Sequence, residues 1–345
     1  MSLQSIISKT SEYLNVPAVV RFEHPFMDYL ADDFNTSGYD IEQQDRLLVV
    51  RKKGIRSPNI VTAHIDRHGL VVNDQGKPEY AAFNAKKHYG DENKSSEEIF
   101  KKSGQRFIDE LVYAYDENGR KIEEGKVKGF SYDFDAKDLV FDIDGFGRLP
   151  AGTAISYVSS LVRESGNISS QIDNVVSAAV AYQLVQDGFD GTLIFTTEEE
   201  IGRSWQHIAN YLQSQDATSR ELITLDTTPY DDARAISEGL IVFRNRDEIG
   251  KFNPDLVGKL RTACDARGIR YEMKDEVIEA QNTQLPEGTK PKKLGKTELG
   301  RVIQYTNGRF NGATVQLPTT EYHSNHETTS ELALNNYYEA LKKLL

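Results

Sequence analysis

The apolar positions of the chain follow two rhythms, with a third kind of text between them. Near the start, Leu3, Ile6, Ile7 and Leu14 recur at helical spacing and predict a helix over Leu3–Leu14; Phe26, Leu30 and Phe34 predict a second over Pro25–Phe34. Leu47–Val50 reads as a short strand ended by the basic turn Arg51-Lys52-Lys53-Gly54. Asn59–Ile65 (Asn-Ile-Val-Thr-Ala-His-Ile) is a near-continuous apolar run, as in strands buried on both faces of a parallel sheet. It closes on His64, Asp66, Arg67, His68 and Gly69.

From Val71 to about Gly166 the text turns Tyr-, Lys- and Asp-rich, with short strand-like runs between turn signals. Leu111–Tyr115 precedes Asp116-Glu117-Asn118-Gly119, and Leu139–Ile143 precedes Asp144-Gly145; only Ser95–Phe107 reads as a helix. This predicts a small β-rich domain or barrel inserted between two strands of the main fold. A long ordered excursion without its own core is the less common alternative. From Ile172 the α/β rhythm returns. Asp173-Asn174 opens a helix over Val175–Gln186, Gly191–Thr197 is a strand, and a helix runs through Trp205 to Leu212. Glu221–Leu225 is a strand ending at Asp226, Thr227, Thr228 and Pro229; Leu240–Phe243 is another, followed by a helix over Asn253–Arg267. Gly312–Pro318 forms a further strand and Ser330–Leu345 an amphipathic closing helix. The expected organisation is an α/β domain of residues 1–70 and 167–345, with residues 71–166 inserted as the β-rich unit.

Composition narrows the class without naming a substrate. With 345 residues, 38% hydrophobic and 27% charged, the chain reads as a globular protein with no run of membrane-spanning length. Met1–Thr10 lacks the basic start and apolar core of a signal peptide, so a cytoplasmic location is expected. Cys264 is the only cysteine, which excludes an internal disulfide and a cysteine-built zinc site. The net charge of −12 argues against nucleic acid and anionic membrane surfaces as partners.

The chemistry gathers where strands end. Glu198-Glu199-Glu200 closes the strand Gly191–Thr197 and is followed by Gly202. Adjacent carboxylates repel, so a strand end gains nothing from three of them without positive charge nearby, and open α/β sheets bind ligands outside the carboxyl ends of their strands. A solvated acidic turn is the plain alternative. His64 with Asp66, Asp173, Asp226 and His323 occupy other strand ends or turns. Each has an ordinary explanation alone: a satisfied histidine, a helix N-cap at Asp173, turn chemistry at Asp226. Together, two imidazoles and three carboxylates match the ligand set of zinc, cobalt or manganese. Five ligands are too many for one open catalytic zinc and suit two ions about 3.5–4 Å apart sharing a carboxylate. One glutamate is then left as a general base, and Asp66 would orient the His64 imidazole. The histidines disfavour calcium, which takes oxygen ligands.

The order of these motifs resembles the glutamyl and deblocking aminopeptidase family, the tetrahedral aminopeptidases of the co-catalytic dizinc peptidases. Ala63-His64-Ile65-Asp66-Arg67-His68-Gly69 is similar to that family's A-H-x-D-E-I-G, and Thr197-Glu198-Glu199-Glu200-Ile201-Gly202 to its Q-E-E-V-G. Asp173-Asn174 stands at its D-D-R, Leu225-Asp226 at its strand-end aspartate, and Leu317–Ser324 at its P-T-R-Y-I-H-S. The resemblance implies a zinc-exopeptidase-like α/β/α sandwich with an inserted small β-barrel-like domain. It implies two divalent ions, zinc foremost with cobalt or manganese as alternatives, and hydrolysis of N-terminal residues from peptides. In this scheme His64 and Asp226 hold one ion, Glu200 and His323 the other, and Asp173 bridges them. Glu199 is the general base, in a register set by Gly202, and Asp66 orients His64. The resemblance further implies a cis Asp173–Asn174 bond and a homo-oligomer, from a dimer up to a dodecamer.

Arg67-His68 replaces the family's Glu-Ile, Asn174-Val175 its Asp-Arg, and Thr320-Glu321-Tyr322 its Arg-Tyr-Ile. None of these removes an expected ligand or the base, but they alter the rim; His68, His326 and Glu327 read as rim residues, with substrate contact as the alternative. The lysine-rich segment Lys86-Lys87, Lys94 and Lys101-Lys102 bears on how subunits meet. Two other functions fit the same sequence: a deacylase or amidohydrolase acting on a small N-acyl substrate, and a catalytically silent metal-binding homologue.

Overall fold

The computed structural model describes the chain except Met1 and residues 36–37, 55–56, 83–96, 134–137, 216–218 and 231. The expected lysines Lys86, Lys87 and Lys94, and the start of the helix expected from Ser95, lie outside the described residues.

In chain order, β1 (Tyr39–Gln43), β2 (Leu47–Lys52) and β3 (Ile60–His64) open the main sheet. Then come β4 (Leu70–Val72), β5 (Pro78–Tyr80), β6 (Leu111–Tyr115), β7 (Lys121–Asp133), β8 (Asp138–Asp144) and β9 (Ala154–Tyr157), which close into a barrel in the order β4-β5-β8-β7-β6-β9. β10 (Val162–Glu164) and β11 (Asn167–Ser169) form a three-stranded sheet with β17 (Thr328–Ser330). The main sheet is completed by β12 (Thr192–Thr196), β13 (Ser219–Pro229), β14 (Ile241–Phe243), β15 (Tyr271–Met273) and β16 (Phe310–Thr319), in the order β1-β2-β12-β3-β13-β16-β14-β15.

The central strands β12, β3, β13 and β16 are mutually parallel. Every residue of β3 and of β16 is buried, as in central strands covered on both faces. The helix Val175–Gln186 is buried almost throughout and lies between the sheet and the helix Ser2–Leu14. It is a second reason why the sheet side of this domain reads as one continuous core, from Ile6 through Ile194 to Leu341. The barrel has its own core, in which Phe107 stacks on Tyr157 at 4.7 Å and meets Phe141 edge-on at 5.1 Å. The expected α/β fold with a closed barrel is thus present. Among the described residues no helix is long and apolar enough to cross a membrane.

Three departures from the sequence reading have physical causes. β13 runs four residues past Leu225, because parallel pairing with β16 carries its backbone to Pro229; Asp226 lies within a strand and not in a turn. The helix Glu298–Tyr305 is hidden in sequence by Gly300, yet a Cβ there would stand 1.9 Å from Asp247 Oδ2, so close packing demands glycine. The helix Lys274–Thr283 is mostly solvated and lacks a clear apolar stripe.

The β13–β16 pairing is tight just past its register shift: a Cβ on Gly312 would lie 1.7 Å from the Leu222 carbonyl oxygen. Gly312→Ala is expected to destabilise the protein by at least about 2 kcal/mol, through forced separation of two central strands. Urea denaturation measures it, and an unchanged midpoint would contradict the tight register.

Candidate metal centre

The parallel central strands bring their C-terminal ends to one edge. His64 ends β3, Glu199 and Glu200 follow β12, Asp226 lies near the end of β13, and His323 follows β16. Asp173 reaches the same edge from the N-terminus of the helix Val175–Gln186. Its peptide bond to Asn174 is cis. Asn174 is the helix N-cap but makes no capping hydrogen bond with its side chain, which instead donates to the Leu225 carbonyl at 2.9 Å.

The turn after β12 separates its three glutamates. Glu198 takes φ +66° and points away from the edge, 3.7 Å from Arg46 and 3.1 Å from His207. Gly202, at φ +75°, completes the reversal. Asp66 holds the other two in place: its Oδ1 accepts the Glu199 N–H at 3.0 Å and its Oδ2 the Glu200 N–H at 2.9 Å. Asp66 Oδ1 is also 3.5 Å from His64 Nδ1, so one buried carboxylate positions the acidic turn and the imidazole together.

Around Asp173 the groups converge. His64 Nε2 lies 3.2 Å from Asp173 Oδ1 and 3.5 Å from Asp226 Oδ1. His323 Nε2 lies 3.6 Å from Asp173 Oδ2 and 3.6 Å from Glu200 Oε2. Three sets of ligand atoms fall within 4.8 Å of one another: His64, Asp173 and Asp226; His64, Glu199 and Glu200; His68, Glu200 and His323. Asp226 is backed by Gln316, whose Nε2 lies 3.4 Å from Oδ2 and whose Oε1 accepts from Arg244 at 2.9 Å. The structure therefore gathers His64, Asp66, Asp173, Glu199, Glu200, Asp226 and His323 in one place.

Two residues read as rim are interior. His68 is 5% exposed, with Nε2 2.7 Å from Glu200 Oε2. Glu327 is fully buried and accepts the backbone N–H of Asp173 at 2.8 Å and of His323 at 2.5 Å. It fixes two elements of the centre at once. The available sequence signals were the four-residue spacings His64 to His68 and His323 to Glu327, which are weak without the turn geometry. His326 is at the surface, as expected, but it serves the barrel contact: its Nε2 is 2.7 Å from Glu110 Oε1, while Asn325 donates to Glu110 Oε2 at 2.9 Å.

The electrostatics are those of a site built for cations. Burial, then the neighbouring Asp173 and Glu199 charges, pushes the Glu200 carboxyl well above its ordinary range. Burial likewise raises Glu199 to about 8, with Asp226 and Asp66 adding to it against the opposing effect of His64. Burial raises Asp173 and Glu327 as well. Burial alone would depress His64, but Asp173, Asp226 and Asp66 outweigh it and hold it well above its usual value. Both oxygens of Asp173 and Oε1 of Glu200 are buried without a well-aligned hydrogen bond. Buried charge of this kind is costly unless paired, and divalent cations pair it. Imidazole and carboxylate donors fit zinc, cobalt or manganese.

A cleft of about 940 Å³ opens beside His323, walled by Pro229 and Thr319 at the strand ends, by Glu321 and Tyr322, and by Lys101 and Lys102 from the helix Glu97–Gln105. Fold and site together fit a metal-dependent hydrolase of the α/β class. The sequence pattern of the M42 glutamyl aminopeptidase family matches residues 147–339, more than half of the chain. The chain belongs to that family, and it is a metal-dependent aminopeptidase, a hydrolase of peptide bonds. Among curated proteins no sequence matches it significantly. Similar solved structures include an aminopeptidase from the archaeon Desulfurococcus kamchatkensis (TM-score 0.71, 16% identity, 99% of this chain and 94% of that one). A TET aminopeptidase from a marine sediment archaeon of the Thaumarchaeota gives a TM-score of 0.71 at 14% identity, over 98% and 96%. The Pyrococcus horikoshii TET1 peptidase, which assembles into a tetrahedron or a large octahedral shell, gives 0.69 at 16% identity, over 99% of both chains. At such identities these likenesses show the fold.

Glu327→Ala should weaken divalent-ion affinity about 10–100-fold without removing a ligand, because the Asp173 and His323 backbones lose their shared acceptor. Competition with a chromophoric chelator measures this, and unchanged affinity would contradict the positioning role. A pH effect follows too. Glu199, raised from 4.5 to about 8, stays protonated in the metal-free folded chain where the unfolded chain has lost its proton. Metal-free stability therefore falls as pH rises through that window, and the raised His64 contributes in the same direction. Metal binding needs those protons removed. The gain in Tm on adding saturating zinc should be small at pH 5 and grow towards pH 8; a gain independent of pH would refute the linkage.

Proposed function

We propose that this aminopeptidase works through a dinuclear centre, with His64 and Asp226 on one ion, Glu200 and His323 on the other, and Asp173 shared. The observation that carries this reading is the position of Asp173: its two buried oxygens face different imidazoles, Oδ1 towards His64 at 3.2 Å and Oδ2 towards His323 at 3.6 Å. A carboxylate placed so suits bridging. Zinc is the favoured metal on donor chemistry, with cobalt and manganese as alternatives.

When bound, the two ions would polarise the scissile carbonyl and acidify the attacking water. The chain's own residues supply the rest. Glu199, partly open to the edge and held by the Asp66 clamp, takes the water's proton and returns it to the leaving amine. Asp66 keeps the His64 ring oriented through Nδ1. In this reading residues 1–70 and 167–345 are the catalytic unit and residues 71–166 the inserted module, whose helix Glu97–Gln105 walls the cleft where a peptide lies. A homo-oligomer of the TET kind belongs to the same proposal, supported by the assembly of the Pyrococcus horikoshii TET1 peptidase. So does a cytoplasmic location, supported by the single buried cysteine.

Elemental analysis of protein prepared without chelator is expected to give about two divalent ions per chain, falling sharply in Asp173→Ala. Glu199→Gln should retain both ions and lose about 10²–10⁴-fold in kcat on aminoacyl anilides. At most one ion, unaffected by Asp173→Ala, would overturn the dinuclear reading. Full activity in Glu199→Gln would remove the assigned base.

A further inference from the structure

We propose that His68 is an additional ligand in this centre, joining Glu200 and His323 on the second ion, so that three imidazoles serve the two metals. The proposal rests on the dinuclear reading above and adds a residue to it.

The placement of His68 is built, not incidental. Its carbonyl accepts from Gln171 Nε2 at 2.8 Å, and Gly69 follows it where a Cβ would strike Val19 at 2.6 Å and the Ile155 carbonyl at 2.7 Å. The backbone is thus clamped between the Val19 segment and barrel strand β9. Its Nδ1 is hydrogen-bonded to the Tyr80 hydroxyl of barrel strand β5. That contact fixes the ring and aims Nε2 at the centre, the arrangement by which an outer partner orients a ligating histidine. Nε2 lies 2.7 Å from Glu200 Oε2. His323 Nε2 lies 3.6 Å from that same oxygen, and the two rings sit 4.0 Å apart at an interplanar angle of 48°.

Two imidazole nitrogens and a carboxylate within 4.8 Å of one another form a compact N,N,O set. Zinc-type ions take such donors, and His–His–carboxylate is a sufficient protein ligand set for a catalytic ion. A hydrogen bond from His68 to Glu200 would use the same nitrogen, so the question is which partner Nε2 meets once metal is loaded. The family pattern A-H-x-D-E-I-G has isoleucine, which donates nothing, where this chain has His68. A third imidazole would favour zinc over harder cations.

X-ray absorption on the wild-type protein loaded with two zinc ions distinguishes the alternatives without any variant. An average of about 1.5 imidazoles per zinc is expected if His68 ligates, and about one if it does not. In parallel, His68→Gln and His68→Ile, checked for folding by circular dichroism, are titrated with zinc against a chromophoric chelator and examined as cobalt forms. The second zinc should weaken at least about tenfold while the first is unchanged, and the cobalt visible bands should shift. Two ions bound with wild-type affinity and unchanged cobalt bands in both variants would overturn the His68 proposal alone. Fewer than two ions in the wild type would overturn the dinuclear reading and this proposal with it.

Discussion

The structure is organised around unbalanced negative charge at the edge of a sheet. Asp66, Asp173, Glu199, Glu200 and Asp226 share a small buried volume with three imidazoles, and burial pushes the titration of several of them upward. Such a cluster is destabilising by itself, since each carboxylate loses water and gains like-charged neighbours. The folded chain tolerates it in metal-free form by retaining protons on carboxyls and on His64. In the proposed centre, divalent ions would take the place of those protons. Metal binding, folding and the acid–base chemistry are thereby aspects of one electrostatic problem.

Holding the cluster requires backbone more than side-chain contacts. Asp66 accepts two consecutive N–H groups of the β12 turn, and Glu327 accepts N–H groups from two segments distant in sequence. Each is a carboxylate spent on geometry. Glu110 extends the scheme into the barrel, because it grips Asn325 and His326 in the loop between His323 and Glu327. The barrel is therefore coupled to the centre by hydrogen bonds, beyond walling the cleft.

Much of this was legible in the sequence because strands of one sheet end together. The runs Asn59–Ile65 and Gly191–Thr197 announced buried strands, and metal-capable residues at their ends pointed to one edge. The barrel followed from turn spacing alone. Illegible were features that depend on a turn's path. Glu198 looks like its neighbours in sequence, and only the positive φ after β12 sends it to Arg46 and His207. Glu327 looks like a polar loop residue, yet the pairing of β17 with β11 buries it beneath Asp173. The strand read as Glu221–Leu225 runs on through Asp226 to Pro229 because a strand's length is set by its partner, here β16, and not by its own composition.

The replacement of Glu-Ile by Arg67-His68 can be weighed on the same terms. Arg67 is buried, donates to the Val16 carbonyl, and is lowered to about 10 by burial, with Glu327 opposing that effect. A cation has been placed within the field of the carboxylate that fixes Asp173 and His323. An imidazole next to it faces Glu200. Arg67 moves the balance of the edge in the positive direction, while His68 sets an imidazole against Glu200. They also join the centre to the barrel and to the segment before the helix His24–Asn35, through Tyr80 and Val16. The departures at these two positions thus act on the electrostatic problem that defines the site, rather than on its outer rim.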